Sequence, residues 1–431
     1  MRPDDLHILV LTRAVAPLHG VGGLERHLHD LVQHLLERNV RLTLITRPPS
    51  EAAQRATDVF DQKRLTLRVV PYWTFPFGGR RGTTIIDRSS AYPFFGWRAG
   101  RLATELVRRG GIDLVHGLGA ASLGYARARR TDWFGTVPFV FNPQGMEEFG
   151  STGPGLPVLK HLGYAPLRKA VRVCARAADR VIATDRALVP AVQKHLRVKE
   201  SAVSVVPNAV DLQAIDRLIT QAASRSIRDR LGLQAEDALL VGVGRLEANK
   251  GFHHLIAALA RLSANPSGAL NAGGRRWRMV LLGDGSQRAR LDRDIASGGL
   301  GGKVLMAGRV DEAELHAWYE AATLFVHPTL YEGSSIVTLE AMAHRRAVVA
   351  TTTGGIPDKI RPGVNGWLVA PGDTHALAEA LEEALADRER LRTMGEEGRA
   401  IVEQEFSWTA VVGRLLDLYL NVLTRPASPS R

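Results

Sequence analysis

The stretch ALLVGVGR, residues 238–245, decides how the chain is read, because there the pattern of the first half begins again. It is a short apolar run closed by a glycine and an arginine. RMVLLGDG (278–285), KVLMAG (303–308), TLFVHP (323–328), AVVATT (347–352) and GWLVAP (366–371) follow it, with helix-spaced stretches between. Upstream the same alternation runs through HILVLT (7–12), RLTLIT (41–46), LTLRVV (65–70), IDLVHG (112–117), VPFVFN (137–142), RVIAT (180–184) and VSVVPN (203–208). Leu24, Leu28, Leu31, Val32 and Leu35 form the apolar face of the first helix. Short strands alternating with amphipathic helices specify a parallel sheet covered on both sides. The expected fold is α/β, with two Rossmann-like doubly wound domains facing a central cleft. The first spans 1–207 and is completed by a C-terminal helix over 409–425; the second spans 208–408. The joint lies just after Pro207, in VPNAVDLQAID.

Composition narrows the function. The 431 residues carry 56 Lys+Arg against 44 Asp+Glu, a net charge of +12. Residues 75–180 hold 16 Lys+Arg against 7 Asp+Glu, so most of the excess sits in the first half. Such a balance favours an anionic partner: a phosphorylated substrate, a nucleic acid or an acidic membrane surface. The single cysteine, Cys174, excludes an internal disulfide framework and a cysteine zinc cluster. No apolar run approaches the ~20 residues that cross a bilayer, and the N-terminal run is too short and wrongly flanked for a signal peptide. A cytoplasmic protein is expected.

Ligands of open α/β sheets sit beyond the carboxyl ends of the strands, so polar residues at those edges are the candidates. In APLHGVGGLERH, Gly20, Gly22 and Gly23 leave amides uncovered before a helix, fit for a phosphate or only for a turn. No Gly-Lys-Ser/Thr follows, so this is not a Walker loop. In VGVGRLEANKGF, Arg245 ends a strand and Lys250 precedes a helix. Two cations there suit a diphosphate and the charge that grows on it as it departs; as an isolated pair they also suit a plain surface. In HPTLYEGSSIVTLEAMA, Glu332 stands in the turn after a strand. Gly333, Ser334 and Ser335 expose amides at the start of a helix, and Glu340 lies inside it, able to accept paired hydrogen bonds from a ribose diol. Amides and cations for a diphosphate, with acids for hydroxyls, make a nucleotide-sugar site. No metal-ligand spacing is visible.

GGLERH, GRLEANKG, HPTLYEGSSIVTLEAMA and VVATTTGGIPDKI together make the chain resemble the retaining GT-B glycosyltransferases of family 4, also called glycosyl transferases group 1. PNAVDL and FSW fit as well. The resemblance implies that Arg245 and Lys250 grip the donor diphosphate and that Glu332 faces the donor sugar near its reacting carbon. Glu340 would hold the ribose, amides of Ser334, Ser335, Ile336 and Val337 would touch sugar and phosphate, and Val310 would line the base pocket. It further implies that Gly22 and Gly23 close on the phosphates and that His116 faces the sugar, although His116 also reads as a capped core histidine. Four positions depart from the family pattern. Ser334 and Ser335 replace an aromatic and a glycine, Ala209 replaces a glycine, and Gln144 stands close to a family histidine. Gln144, Glu147 and Glu148 are assigned to the acceptor.

The implied activity is a metal-independent, retaining transfer of a hexose-type sugar from a nucleotide-diphosphate sugar to an acceptor hydroxyl, lipid-linked, polysaccharide or small metabolite. No cofactor is expected. Alternatives are a GT-B relative with epimerase or phosphorylase chemistry, or a non-catalytic nucleotide- or nucleic-acid-binding protein; no nucleic-acid motif accompanies the charge. Arg168, Arg172 and Arg176 recur every four residues beside Lys169, as a cationic helix stripe. Tyr72, Trp73, Phe75, Phe77, Tyr92, Phe94, Phe95 and Trp97 interleave with arginines. Those two features fit either an anionic membrane surface on its cytoplasmic side or a solvated face beside an aromatic mini-core.

Overall fold

A computed structural model of the chain describes residues 5–20, 23–50, 63–73, 84–131, 137–144, 146–150, 162–271 and 276–424. The chain divides into two units, Met1–Asn208 with Trp408–Arg431, and Ala209–Ser407.

In the first unit β1 (His7–Leu11), β2 (Arg41–Thr46), β3 (Leu65–Val69), β4 (Leu114–Leu118), β5 (Phe139–Asn142), β6 (Arg180–Ala183) and β7 (Val203–Val205) form one sheet. Its order is β3-β2-β1-β4-β5-β6-β7, with parallel pairing throughout. In the second unit β8 (Ala238–Val243), β9 (Trp277–Leu282), β10 (Val304–Gly308), β11 (Leu324–His327), β12 (Val348–Thr351) and β13 (Gly366–Val369) form another. That sheet is also parallel, in the order β10-β9-β8-β11-β12-β13. Each is a doubly wound Rossmann-like sheet, and the pair is the GT-B architecture. In each, strand order reverses beside the first strand: between β1 and β4, and between β8 and β11. Those switch points are where doubly wound sheets take ligands.

Burial explains why the strands read as unbroken apolar runs. Every residue of β8 is buried. Leu240 packs with the helices Phe252–Ser263 and Thr374–Ala386, while Leu239 and Val241 pack on the other face with Glu312–Ala321. A parallel sheet covered on both sides leaves no face for polar residues, so polarity collects at the strand exits.

The C-terminal helix Trp408–Leu423 belongs to the first unit. Trp408 lies 5.0 Å from the His27 ring and 5.4 Å from that of His34. Further along, the Tyr419 hydroxyl meets His116 Nδ1 at 2.7 Å. This corrects the placing of His116 at a strand exit. It is the third residue of β4, paired with Val10 and Val140, and only 1 % exposed. Burial, with His27 nearby, lowers its pKa to about 4. His116 is thus a neutral core residue that ties the last helix to the sheet.

The arginine stripe on the helix Ala165–Ala177 is also corrected. Arg168 is buried and donates to the Glu148 carbonyl at 3.2 Å; Arg172 donates to the His195 carbonyl at 2.8 Å and covers the Phe149 ring. Lys169 and Arg176 remain exposed. The aromatic segment divides in the same way. Tyr92 and Phe95 are buried, whereas Trp73 is 64 % exposed and stacks on Phe94, which stacks on Trp97. Arg98 covers Trp73 and Arg101 covers Trp97. Phe75 and Phe77 lie outside the described residues. Among the described residues no helix is long and apolar enough to cross a membrane.

Candidate active site

The site is built where β8 and β11 lie side by side, paired through Leu240–Leu324 and Val241–Phe325. β11 is a wholly buried LFVH run that stops at Pro328, which has no N–H to continue the ladder. The chain then turns through Thr329–Ser334 to Ser335, whose hydroxyl caps the helix Ile336–Ala343 by accepting from the Thr338 N–H at 3.4 Å. β8 exits through Arg245 to the short turn Ala248–Lys250 and to Gly251, the left-handed residue (φ +68°) before the helix Phe252–Ser263.

These two exits are knitted together. The Leu330 N–H donates to the Asn249 carbonyl at 2.8 Å. A Cβ on Gly251 would stand 2.0 Å from the Pro328 carbonyl oxygen, so only glycine permits the approach. The turn after β12 closes on the same place. Gly354 (φ +55°) would bring a Cβ within 2.0 Å of the Glu332 carbonyl oxygen, and the Gly355 N–H donates to the Gly333 carbonyl at 2.7 Å.

The result is a carboxylate fixed from three sides. Lys250 Nζ lies 2.8 Å from Glu332 Oε2, with both side chains 15 % exposed. His327 Nε2 meets the same oxygen at 2.9 Å, and the Gly333 N–H donates to Oε1 at 3.2 Å. Burial works to raise the Glu332 pKa, but His327 and Lys250 outweigh it and hold the carboxyl at about 2. Glu332 is therefore an anion at neutral pH. His327 is fully buried, and burial lowers its own pKa, so the ring is neutral. It must carry its proton on Nε2 to serve a carboxylate, which leaves Nδ1 bare; that atom has no hydrogen-bond partner. Lys250 spends one of its three N–H bonds on Glu332.

The helix Ile336–Ala343 begins four residues after Glu332, and the amides of its first turn are those a helix leaves without internal partners. Glu340, on that helix, accepts from the Tyr319 hydroxyl at 2.9 Å. Lys359 is buried and donates to Ser334 Oγ at 3.1 Å and to the Gly355 carbonyl at 3.1 Å. Cations, first-turn amides and a fixed carboxylate at a switch point can hold a diphosphate next to a polarised sugar.

The model of the Glycosyltransferase Family 4 group matches residues 21–214, and that of Glycosyl transferases group 1 matches residues 223–401. The chain belongs to glycosyltransferase family 4. It is 27% identical over 415 residues to a D-inositol 3-phosphate glycosyltransferase of Xylanimonas cellulosilytica, covering 94% of this chain and 93% of that one. It is 31% identical over 267 residues to an alpha-maltose-1-phosphate synthase of Mycolicibacterium smegmatis, covering 60% of this chain and 67% of that one. The crystal structure of Anabaena Alr3699/HepE in complex with UDP superposes with a TM-score of 0.69 at 22% identity, covering 96% of this chain and 100% of that one.

In this family 4 glycosyltransferase the structure gathers Lys250, Glu332, Gly333, Ser334, Ser335, Ile336, Val337 and Glu340 on one edge of the second unit. Arg245, two residues beyond β8, is exposed there, and Val310, two residues beyond β10, packs partly against the core. In the first unit Gly23 opens the helix Gly23–Glu37, while Gly22 lies outside the described residues. Gln144 follows β5 in a left-handed conformation (φ +64°), its N–H donating to Asn142 Oδ1 at 2.9 Å. Glu148 is buried, and the Glu147 side chain lies outside the described residues.

Two residues of the site escaped the sequence reading. His327 closes an apolar strand five positions before Glu332, and a polar residue ending a buried run at a strand exit was its only signal. Lys359, in GGIPDKI, gave none, because its burial depends on the turn after β12 folding back onto Ser334.

Proposed function

We propose that the protein transfers a hexose-type sugar from a nucleotide-diphosphate sugar to an acceptor hydroxyl, with retention of configuration and without a metal ion. The observation that carries this reading is the Lys250–Glu332–His327 cluster beside a helix N-terminus at the switch point of the second unit. Lys250 and Arg245, with the first-turn amides, receive the diphosphate. As the sugar–phosphate bond breaks, the electron pair goes to the departing phosphate oxygen and positive charge grows on the sugar carbon. A carboxyl held at about 2 is a poor proton donor or acceptor near neutral pH. Glu332 then acts as a fixed negative charge, and the acceptor proton passes to the departing diphosphate itself.

The matched Anabaena structure, a complex with UDP, supports the donor class. The cationic groups Lys250 and Arg245 suit a diphosphate directly. The first unit is assigned the acceptor, with Gln144 and Glu148 near it. Its exposed Trp73, Phe94 and Trp97, flanked by Arg98 and Arg101, are suited to an anionic membrane surface.

A thermal-shift screen of UDP-, GDP-, ADP- and dTDP-sugars tests the reading. One nucleotide series is expected to raise the melting temperature saturably, since binding to the native state alone stabilises it. A flat response to all four would remove the donor assignment.

A further inference from the structure

The carboxyl edge of the first sheet carries a cluster of charge that donor binding leaves unused. β1 and β2 pair with Leu11 opposite Ile45, and the ladder extends one step as the Thr12 N–H donates to the Ile45 carbonyl at 3.0 Å. Arg13 and Arg47 therefore leave the sheet side by side. On the other flank the Val70 N–H donates to the Thr46 carbonyl at 2.9 Å, which carries the chain on to Tyr72 beside Arg47. The Arg13 guanidinium lies 4.9 Å over the Tyr92 ring, and that of Arg47 lies 5.6 Å over the Tyr72 ring. Tyr92 is held in turn by its hydroxyl, which donates to the carbonyl of Leu118, the last residue of β4. Arg13 thus leaves the sheet beside the switch point between β1 and β4, with Arg47 one strand further out.

Neither guanidinium forms an ion pair among the described residues. Arg47 Nε is buried without a hydrogen-bond partner. Burial and the neighbouring Arg13 charge both lower the Arg47 pKa, opposed by Tyr72, Glu25 and Asp87. Asp87 is tied to the Tyr72 hydroxyl at 3.1 Å. Two partly buried guanidinium groups that repel each other, only partly offset by Glu25 and Asp87 and with N–H donors to spare, are stabilised further when an anion joins them. Their planar forks match the oxygens of a phosphate, and the exits of a doubly wound sheet are where such a ligand would lie.

We propose that Arg13 and Arg47 form an anion subsite that grips a phosphate group on the acceptor. Calling the ligand an acceptor rests on the donor assignment above; the phosphate binding itself does not. A free phosphorylated polyol and a lipid-borne phosphate would present the same oxygens.

The test is a melting titration of the full chain with inorganic phosphate, against chloride at matched ionic strength, with the nucleoside diphosphate of the responding series saturating so that the donor site is filled. The wild-type protein is expected to gain a few degrees saturably. Arg13→Gln and Arg47→Gln each lose that gain while keeping the nucleotide-induced shift, and Arg47→Lys keeps part of it, having the charge without the fork. Absence of a phosphate-specific gain in wild type, or its survival in both glutamine variants, would overturn the subsite. Should none of the four nucleotides give a shift, the donor assignment fails and the phosphate titration, repeated alone, still reads the arginine pair. Glycerol 3-phosphate and phosphatidic acid in phosphatidylcholine vesicles then separate the sources. An arginine-dependent response to the first assigns a free acceptor, and one to the second a lipid-borne acceptor. Failure of both overturns the proposal.

Discussion

Replacing Lys250 by alanine is expected to lower sugar transfer by on the order of 10²–10³-fold, with the loss in kcat more than in KM. The ammonium is already placed, 2.8 Å from Glu332, and needs no rearrangement when negative charge builds on the departing diphosphate. Such a preplaced cation stabilises the transition state more than the bound donor, which is why kcat should carry the effect. Alanine also removes one of the two side chains that oppose the burial of Glu332, so the carboxyl pKa rises from its value of about 2. Lys250→Arg should recover part of the rate, because the charge is kept while its shape changes. Steady-state kinetics of the two variants check this, and wild-type turnover by Lys250→Ala would remove the residue from the mechanism.

His327→Ala is expected to cost about 10²-fold in kcat, the penalty of a reacting group displaced by about 1 Å. His327 touches no substrate in this account; it positions Glu332 from behind through the 2.9 Å bond from Nε2. His327→Gln, whose amide N–H can stand where Nε2 stands, should restore much of the rate, which a purely packing role would not allow. The pH dependence of stability gives an independent readout. The folded pKa of Glu332, about 2, lies below its ordinary value. Its contribution is therefore present above the unfolded value of about 4.3 and lost as pH falls from there toward 2. The His327 pKa is also lowered in the fold, so the neutral ring too loses stability on acidification, below its unfolded value of about 6.5. Both effects have one sign, so His327→Ala should show a flatter fall of melting temperature between pH 6 and 3 than wild type. An equally steep fall would show that the histidine does not hold the carboxylate.

The second unit was the more legible half. Its strands are buried on both faces, so each one announces itself as an apolar run, and ALLVGVGR shows where the winding restarts. Lys250 and Glu332 could be placed on one edge in advance because both follow parallel strands there, though their ion pair was not foreseen. His327 and Lys359 could not, since their partners come from the tertiary approach of the turns after β8, β11 and β12. His116 misled for a related reason. Its partner Tyr419 lies on the far end of the chain, and no local pattern tells a strand exit from a position two residues earlier. The arginines of Ala165–Ala177 had the spacing of a solvated stripe, yet Arg168 and Arg172 turn inward to the Glu148 and His195 carbonyls. Arg13 and Arg47 carried no motif at all; only the β1–β2 register sets them side by side.

The most direct test is a crystal structure of the protein with the nucleoside diphosphate that gives the largest melting shift. The diphosphate is expected within hydrogen-bond reach of Lys250 Nζ and of the first-turn amides at Ile336 and Val337, with Glu332 still held by His327. A diphosphate bound away from that edge of the second unit, with Lys250 and Glu332 untouched, would contradict the account.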